Sequence, residues 1–270
     1  MAKLHTAGLA MVGTSALSGA QRKLSVRLDS SRMTLQVATT GGRFILKPQT
    51  NVYPELPENE HLTMHLAALA GLNVAPNGLL PLEDGSIAYV VRRFDRRNDG
   101  SKRHHEAFCQ LAEKPAREKY EGSAELLVRL LRTHATEPLV ELLKLFRLCV
   151  AAWWTGNGDM HLKNVSILRD DDERYRLSPV YDFVCTRLVI DRDQLALSIG
   201  GKRDRMRQSD WIRFAAYATI PERAAVRVLK SIAKQGQAAL HAVHNASLSS
   251  EMKQRYLELI GERSKLLQAD

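Results

Sequence analysis

Cysteine is scarce in this sequence. Cys109, Cys149 and Cys185 are the three among 270 residues, odd in number, far apart and without a Cys-x-x-Cys pair. Such a set excludes a disulfide framework or a structural zinc site as the organising device, and it fits a reducing cytoplasm. Long apolar runs are missing too: no stretch approaches the roughly 18 residues of a membrane-spanning helix, so no membrane association is expected. There is no internal repeat, heptad pattern or low-complexity tract. Neither a G-x-G-x-x-G nor a P-loop occurs. The stretch 7–20 is rich in small residues after Lys3, but Gly8, Gly13, Thr14, Ser15 and Ser18 interrupt it, so it is not read as a secretory leader. Acidic residues are outnumbered, 30 against 39 Lys and Arg, and the net charge of +9 points to a polyanionic partner: nucleic acid, nucleotide or a protein that carries one.

What is present suffices for a core. An apolar fraction of 44% rules out a disordered chain, and the length suits one large domain or two lobes. The first hundred residues read as strands and turns. Residues 21–28 and 33–38 alternate apolar and polar side chains, Gly41-Gly42 marks a turn, and residues 43–47 form a third strand stopped by Pro48. Asn59 is a plausible N-cap for a helix over 60–70 that Gly71 ends. Residues 79–80 and 87–94 make a hairpin about Glu83-Asp84-Gly85. The remainder reads as helical over 125–131, 137–154, 209–245 and 250–267, interrupted by a short hairpin of 165–168 and 176–180. A β-rich part followed by a helical part predicts two lobes around a cleft.

The stretch from Gly156 to Asn164 is the most informative. It places Asp159, Lys163 and Asn164 in one loop after an apolar helix. Phosphoryl transfer uses such a set: a carboxylate to accept the proton of the attacking hydroxyl, a lysine for the γ-phosphate, an amide oxygen for Mg²⁺. The spacing from Asp159 to Asn164 is that of the kinase D-x-x-x-x-N loop. Asp182 follows an apolar strand 23 residues later, where a second metal-binding Asp belongs, and Asp182-Phe183 starts like D-F-G with Val184 in place of the glycine. Lys47 ends a strand, as the lysine that grips the α- and β-phosphates does, and Glu60 is placed to be its ion partner. Ser18-Gly19-Ala20-Gln21-Arg22-Lys23 precedes a strand, with small residues that let backbone amides approach phosphates. Taken singly, these are also a polar connection, a turn aspartate, a solvated lysine and a turn.

In this order the chain resembles the HipA family of bacterial serine/threonine kinase toxins. The resemblance runs over about 15–215 and is carried by residues 18–23, 44–48, 59–60 with 70–74, 93–97, Lys119-Tyr120-Glu121, 156–164, 177–182 and 195–202. It implies an α+β, bilobal protein-kinase-like fold, with a β-rich N-lobe over 1–97 and a helical C-lobe over 98–270. It implies an ATP-dependent kinase with Asp159 as catalytic base and Lys163 beside it, and Asn164 and Asp182 as Mg²⁺ ligands. The ATP-binding set is Lys47, Glu60, Gly19, Gln21, Lys23 and His161, with Val91, Arg92 and Phe94 in the adenine hinge. The implied substrate is an aminoacyl-tRNA synthetase, whose phosphorylation stops translation, and the implied partner is a HipB-like helix-turn-helix protein that contacts DNA.

The phosphate loop starts near residue 15, which makes the chain most like the short HipT kinases of three-component HipBST systems. Their implied target is tryptophanyl-tRNA synthetase and their antitoxin a small HipS-like protein. Autophosphorylation is implied at Ser18, with Ser15 as a second candidate because Ala16 stands where serine is usual. Residues 202–234 hold nine Lys or Arg and three acids, +6 of the +9, and read as a solvated face or a docking face. Arg92, Arg93, Arg96, Arg97, Lys102 and Arg103 cluster by the hinge, and His104-His105-Glu106 reads as a groove loop. Two other readings stand beside the toxin kinase: a small-molecule kinase of the aminoglycoside type, whose loop carries its histidine before the aspartate, and an inactive kinase-like module in a DNA-bound repressor complex.

Overall fold

The structure is a computed structural model that describes residues 21–29, 31 and 34–268. The expectations for Ser15, Ala16, Ser18 and Gly19 lie outside the described residues. Five antiparallel strands form the first sheet: β1 (Leu24–Asp29), β2 (Thr34–Val37), β3 (Phe44–Pro48), β4 (Asn77–Pro81) and β5 (Ile87–Arg92), in the order β2-β1-β3-β5-β4. Ser86-capped Asp84 and Gly85, at φ 82°, turn β4 into β5 and set Pro81 opposite Ile87. Val26, Leu46 and Ala88 are buried on one face and make a small core of their own.

Helix α1 (Leu56–Leu69) lies between β3 and β4 in the chain, yet it packs into the larger core. It begins earlier than the sequence suggests, because Pro57 fills the first turn, where a missing N–H is no loss. Asn59 is therefore not a cap. It sits inside the helix, fully buried, and its amide bonds the backbone of Cys185 in both directions. The helix does end where expected, with Gly71 at φ 80°.

A second sheet joins β6 (His105–Ala107), β7 (Ser166–Arg169) and β8 (Tyr175–Leu177). The expected hairpin is β7–β8; β6, read as a groove loop, is its third strand. The remaining helices are α2 (Phe108–Leu111), α3 (Ala124–His134), α4 (Pro138–Thr155), α5 (Gln208–Tyr217), α6 (Glu222–Ala233), α7 (Gly236–His244) and α8 (Ser250–Leu266). The helical segment expected over 209–245 is three helices, separated where Pro221 ends a short connection and where Gly236 lies against Ser264. Leu62, Met64 and Leu66 of α1 share one core with Trp153, Trp154 and Phe146 of α4 and with Tyr256 of α8. Among the described residues, no helix is long and apolar enough to cross a membrane.

Candidate active site

The alternation of β3 sends Lys47 off the sheet opposite Tyr89, with its ammonium 5.3 Å from the ring centroid. The lysine is only 2% exposed, so it must be paired. Its Nζ donates to Glu60 Oε1 and to Asp182 Oδ1, both at 2.5 Å. Lys23 Nζ reaches the other Asp182 oxygen at 2.7 Å. Four residues spread over 159 positions are thereby gathered into one ion cluster. Burial works to lower the Lys47 pKa, but Asp182 and Glu60 more than reverse it. Burial likewise works to raise the Asp182 carboxyl, and the Lys47 and Lys23 ammoniums overcome it, holding Asp182 well below the ordinary carboxylate range. Glu60 shifts the other way, raised by burial despite Lys47.

Asp182 is held by its surroundings as well as by charge. Its φ of 50° is left-handed, a conformation an aspartate tolerates better than most residues but which still costs energy. The neighbours fix it: Tyr181 donates its hydroxyl to Lys163 O at 2.9 Å, Phe183 is buried, and Cys185 N is held by Asn59 Oδ1.

Helix α4 ends at Gly156, at φ 77°, where a Cβ would come within 2.7 Å of Leu259 and 2.9 Å of Cys185. Two residues on, a Cβ at Gly158 would lie 2.5 Å from Gln194 O. The loop therefore needs both glycines, and its amides are anchored: Gly158 N donates to Thr186 Oγ1 (2.7 Å) and Asp159 N to Asn157 Oδ1 (2.8 Å). Asn164 Nδ2 donates back to Asp159 O at 2.8 Å. The Asp159 side chain accepts a bond of 2.6 Å from the Tyr120 hydroxyl. Burial raises the Asp159 pKa and this bond opposes the rise.

A cavity of about 20 Å³ is lined by Gln21, Lys23, Lys47, Glu60, Asp159 and Asp182, with Leu56 and Val184. Lys23 and Lys47 close it down by both reaching Asp182. The Nε2 of Gln21 is buried there without a partner among the described residues. An orphaned donor beside two ammoniums is a cradle for an anionic, oxygen-rich group. The structure thus brings together six of the residues singled out from sequence. Asn164 lies next to them, its amide nitrogen spent on Asp159 O and its oxygen free of any such bond. Oxygen donors from Asn164 and Asp182 suit a hard cation that completes its shell with phosphate and water. Among the described residues, no group of three His, Cys, Asp or Glu is placed to hold a metal by itself.

Other expected residues sit elsewhere. His161 is 1% exposed and does not line the cavity; it packs edge-on against Tyr120 at 4.9 Å, its Nε2 lies 3.7 Å from Asp159 Oδ1, and neither ring nitrogen has a hydrogen bond among the described residues. Burial, with Lys119 nearby, lowers its pKa to about 3. Lys163 is exposed. Val91 is buried in β5, Arg92 Nη2 donates to Asn98, and Phe94 packs edge-on against His105 and at a tilt against Tyr181. The hinge-side arginines are largely paired: Arg93 with Asp95, and Arg97 and Arg103 with Asp171. Tyr120 was quoted in sequence without a role, and no spacing rule points from it to Asp159, 39 residues away.

With this geometry in place, comparison with known proteins is informative. A family model described as the HipA-like C-terminal domain matches residues 15–240. The chain belongs to this HipA-like family. It is 31% identical over 268 residues to "Putative kinase Y4mE" of Sinorhizobium fredii, covering 93% of this chain and 63% of that protein. It is 30% identical over 181 residues to a "Putative kinase" of Haemophilus influenzae, covering 62% of this chain and 52% of the other. The HipA-like chain therefore spans between half and two thirds of these relatives' length. Among solved structures, HipA of Shewanella oneidensis, in complex with HipB and its operator DNA, superposes with a TM-score of 0.78 at 22% identity, over 94% of this chain and 67% of that one. The Helicobacter pylori proinflammatory kinase CtkA gives 0.61 at 16% identity, over 83% and 88%. The HipA-like chain has an α+β, kinase-like fold.

Proposed function

We propose that the chain is an ATP-dependent serine/threonine protein kinase. The observation that carries this reading is the Lys47 ammonium, shared at 2.5 Å between Glu60 and Asp182 in the cavity that Asp159 also lines. In this reading Lys47 and Lys23 hold the phosphates, assisted by the orphaned Gln21 amide. Asp159 accepts the proton of the substrate hydroxyl, and the Tyr120 bond keeps it oriented and ionised. Asn164 and Asp182 would hold Mg²⁺, which neutralises phosphate charge when bound. Lys163, exposed on the same loop, faces the approach of a substrate. For a metal to reach Asp182, Lys23 and Lys47 give up part of their present pairing. The hinge formed by Val91, Arg92 and Phe94, with the division into lobes at residue 97, completes the kinase plan.

The finer reading is a toxin kinase whose substrate is an aminoacyl-tRNA synthetase, tryptophanyl-tRNA synthetase above others, with autophosphorylation at Ser18 or Ser15. Its support is the order of motifs in the sequence. A HipB-like DNA-binding partner is supported by the company that the Shewanella oneidensis HipA keeps. A small HipS-like antitoxin rests on the resemblance to HipT alone. The test is incubation of the purified chain with Mg²⁺, γ-labelled ATP and a bacterial lysate, followed by phosphosite mapping. Label on a synthetase serine, absent with Asp159→Asn, is the expected result. A preparation that labels neither itself nor any lysate protein overturns the kinase reading; label on other proteins alone overturns the synthetase reading.

A further inference from the structure

On the far side of Gly156–Gly158 from the lysine cluster lies an open cavity of about 1180 Å³. Its wall is cationic: Arg187, Arg192, Lys202, Arg203, Arg205 and Arg207 line it, and Arg263 forms part of its floor. Against these stand two carboxylates, Asp204 and Glu262. Asp204 is shared, bonded by Arg187 at 3.2 Å and lying 3.7 Å from Arg263. Lys202 pairs away from the cavity wall with Asp210, and Arg203 donates to the Leu195 and Ala196 carbonyls. Arg205 and Arg207 are exposed, and among the described residues neither guanidinium is in a salt bridge, although the Arg207 backbone N–H donates to Asp210.

Three observations make this more than a solvated basic face. Arg263 is a buried cation, 6% exposed, with its guanidinium 4.9 Å over the Trp153 ring. Burial, with the nearby Arg187, pulls its pKa down to about 10. Trp153, which lines the same cavity, has a buried indole N–H without a partner among the described residues. The cavity also exceeds the roughly 300–1,000 Å³ of small-molecule sites only slightly, and it is concave. Planar arginine forks around a concavity match the oxygens of linked phosphates, which accept bidentate bonds.

We propose that this cavity is a second anion site, for a soluble oligophosphate: a chain of two or more linked phosphate groups, free or on a small molecule. It is separate from the phosphate-binding lysines. It touches the catalytic segment through Leu259 and Gln194, which pack against Gly156 and Gly158, and through Arg187, whose N–H donates to Gly156 O at 3.4 Å, beside Thr186, which bonds both Gly156 O and Gly158 N. A compact ligand is favoured over a nucleic-acid duplex because the cations line a hollow rather than a ridge that a groove could straddle.

The experiment is isothermal titration of the full chain with sodium tripolyphosphate in Mg²⁺-free buffer at physiological salt. The variants are R205E/R207E, R205Q/R207Q and, for the other site, K23M. Both arginines are exposed, so both double variants should keep the wild-type melting temperature. The proposal expects a binding event that R205E/R207E weakens roughly a hundredfold, R205Q/R207Q weakens less, and K23M leaves in place. Tripolyphosphate binding that both arginine variants leave unchanged and K23M abolishes overturns it, because the only anion site is then the lysine cluster. Failure of wild-type protein to bind also overturns it, as does arginine-dependent binding of a 12-nucleotide RNA without binding of tripolyphosphate. None of these outcomes touches the kinase reading, which is judged by label transfer.

Discussion

The two faces of the five-stranded sheet meet different partners: Tyr89 and Val91 of β5 pack with helix α1 in the large core, and the opposite face does not. The sheet closes a small core of its own around Val26, Leu46 and Ala88. Helix α1 is built into the helical body. Asn59 bonds the Cys185 backbone, Thr63 meets the Tyr256 hydroxyl at 3.0 Å, Glu55 accepts from Ser249 N, and Arg147 donates to Ala70 O. In consequence Lys47 comes from the sheet while Glu60 and Asp182 come from the helical body. The ion cluster is a joint between the two.

Cutting the joint at the sheet side should have the largest effect. Lys47→Met leaves Glu60 and Asp182 buried together without their cation, and removing one partner of a buried pair costs about 3–5 kcal/mol. Label transfer should vanish in the same protein. The double variant Lys47→Met with Glu60→Leu should regain most of the stability and none of the activity, measured by urea denaturation and labelling. Equal stability of wild type and Lys47→Met would show that the pair does not join the sheet to the helical body. Cutting on the helical side comes next. Asn59→Leu strands the Cys185 N–H and C=O, at roughly 1–3 kcal/mol each, although Thr63 Oγ1 retains a bond of 3.2 Å to the N–H. A loss of about 2–4 kcal/mol is expected, together with weaker labelling because Glu60 loses its anchor. Asn59→Leu protein that is as stable as wild type would detach α1 from the helical body.

Sequence reading singled out residues that line one cavity because each is carried by local spacing. Asp159 and Asn164 share a loop, Asp182 ends the following hairpin, and Lys47 closes a strand whose alternation is plain. The same rules failed where a tertiary contact outranked a local preference. Asn59 looks like a cap because asparagine is a good one, but Pro57 starts the helix and the amide serves Cys185 instead. β6 carries His105-Glu106-Ala107, too short and too polar for a strand signal, and exists because β7 offers it an edge. The 209–245 segment keeps helical periodicity across its breaks, so only Pro221 and Gly236 mark them. The role of Tyr120 is not legible because a hydrogen bond across 39 residues, spanned by α3 and α4, leaves no periodicity to find.

A smaller effect separates charge from packing behind the catalytic loop. His161 stays neutral in the folded protein down to about pH 3, against an ordinary value near 6.5. In that window the unfolded chain binds a proton that the folded chain refuses. Stability is therefore full above pH 6.5 and declines as the pH falls, by roughly 1.4 kcal/mol per pH unit. His161→Leu should flatten that slope while leaving the neutral-pH stability close to wild type, since neither ring nitrogen has a bond to lose. Urea midpoints between pH 4 and 7 read this directly, and parallel slopes for the two proteins would mean that other groups carry the acid limb.

The smallest change is a single hydroxyl. Tyr120→Phe keeps the ring against His161 and removes the bond that opposes the burial-driven rise of the Asp159 pKa. A base must be ionised, so its activity is present above its pKa and lost as the pH falls through it. Without the hydroxyl that pKa goes up, and the acid limb of single-turnover labelling should move up with it. A hydrogen bond to a charged group is worth about 1.5–3 kcal/mol, which corresponds to a shift of roughly one to two pH units. At the alkaline plateau the variant should approach the wild-type rate, and on the acid limb it should fall below it at the same pH. A uniform loss of rate at every pH would assign Tyr120 to packing alone. An upward shift of the limb would establish that the helical body tunes Asp159 as firmly as it holds Asp182 and Glu60, leaving the sheet as the part that delivers the lysine.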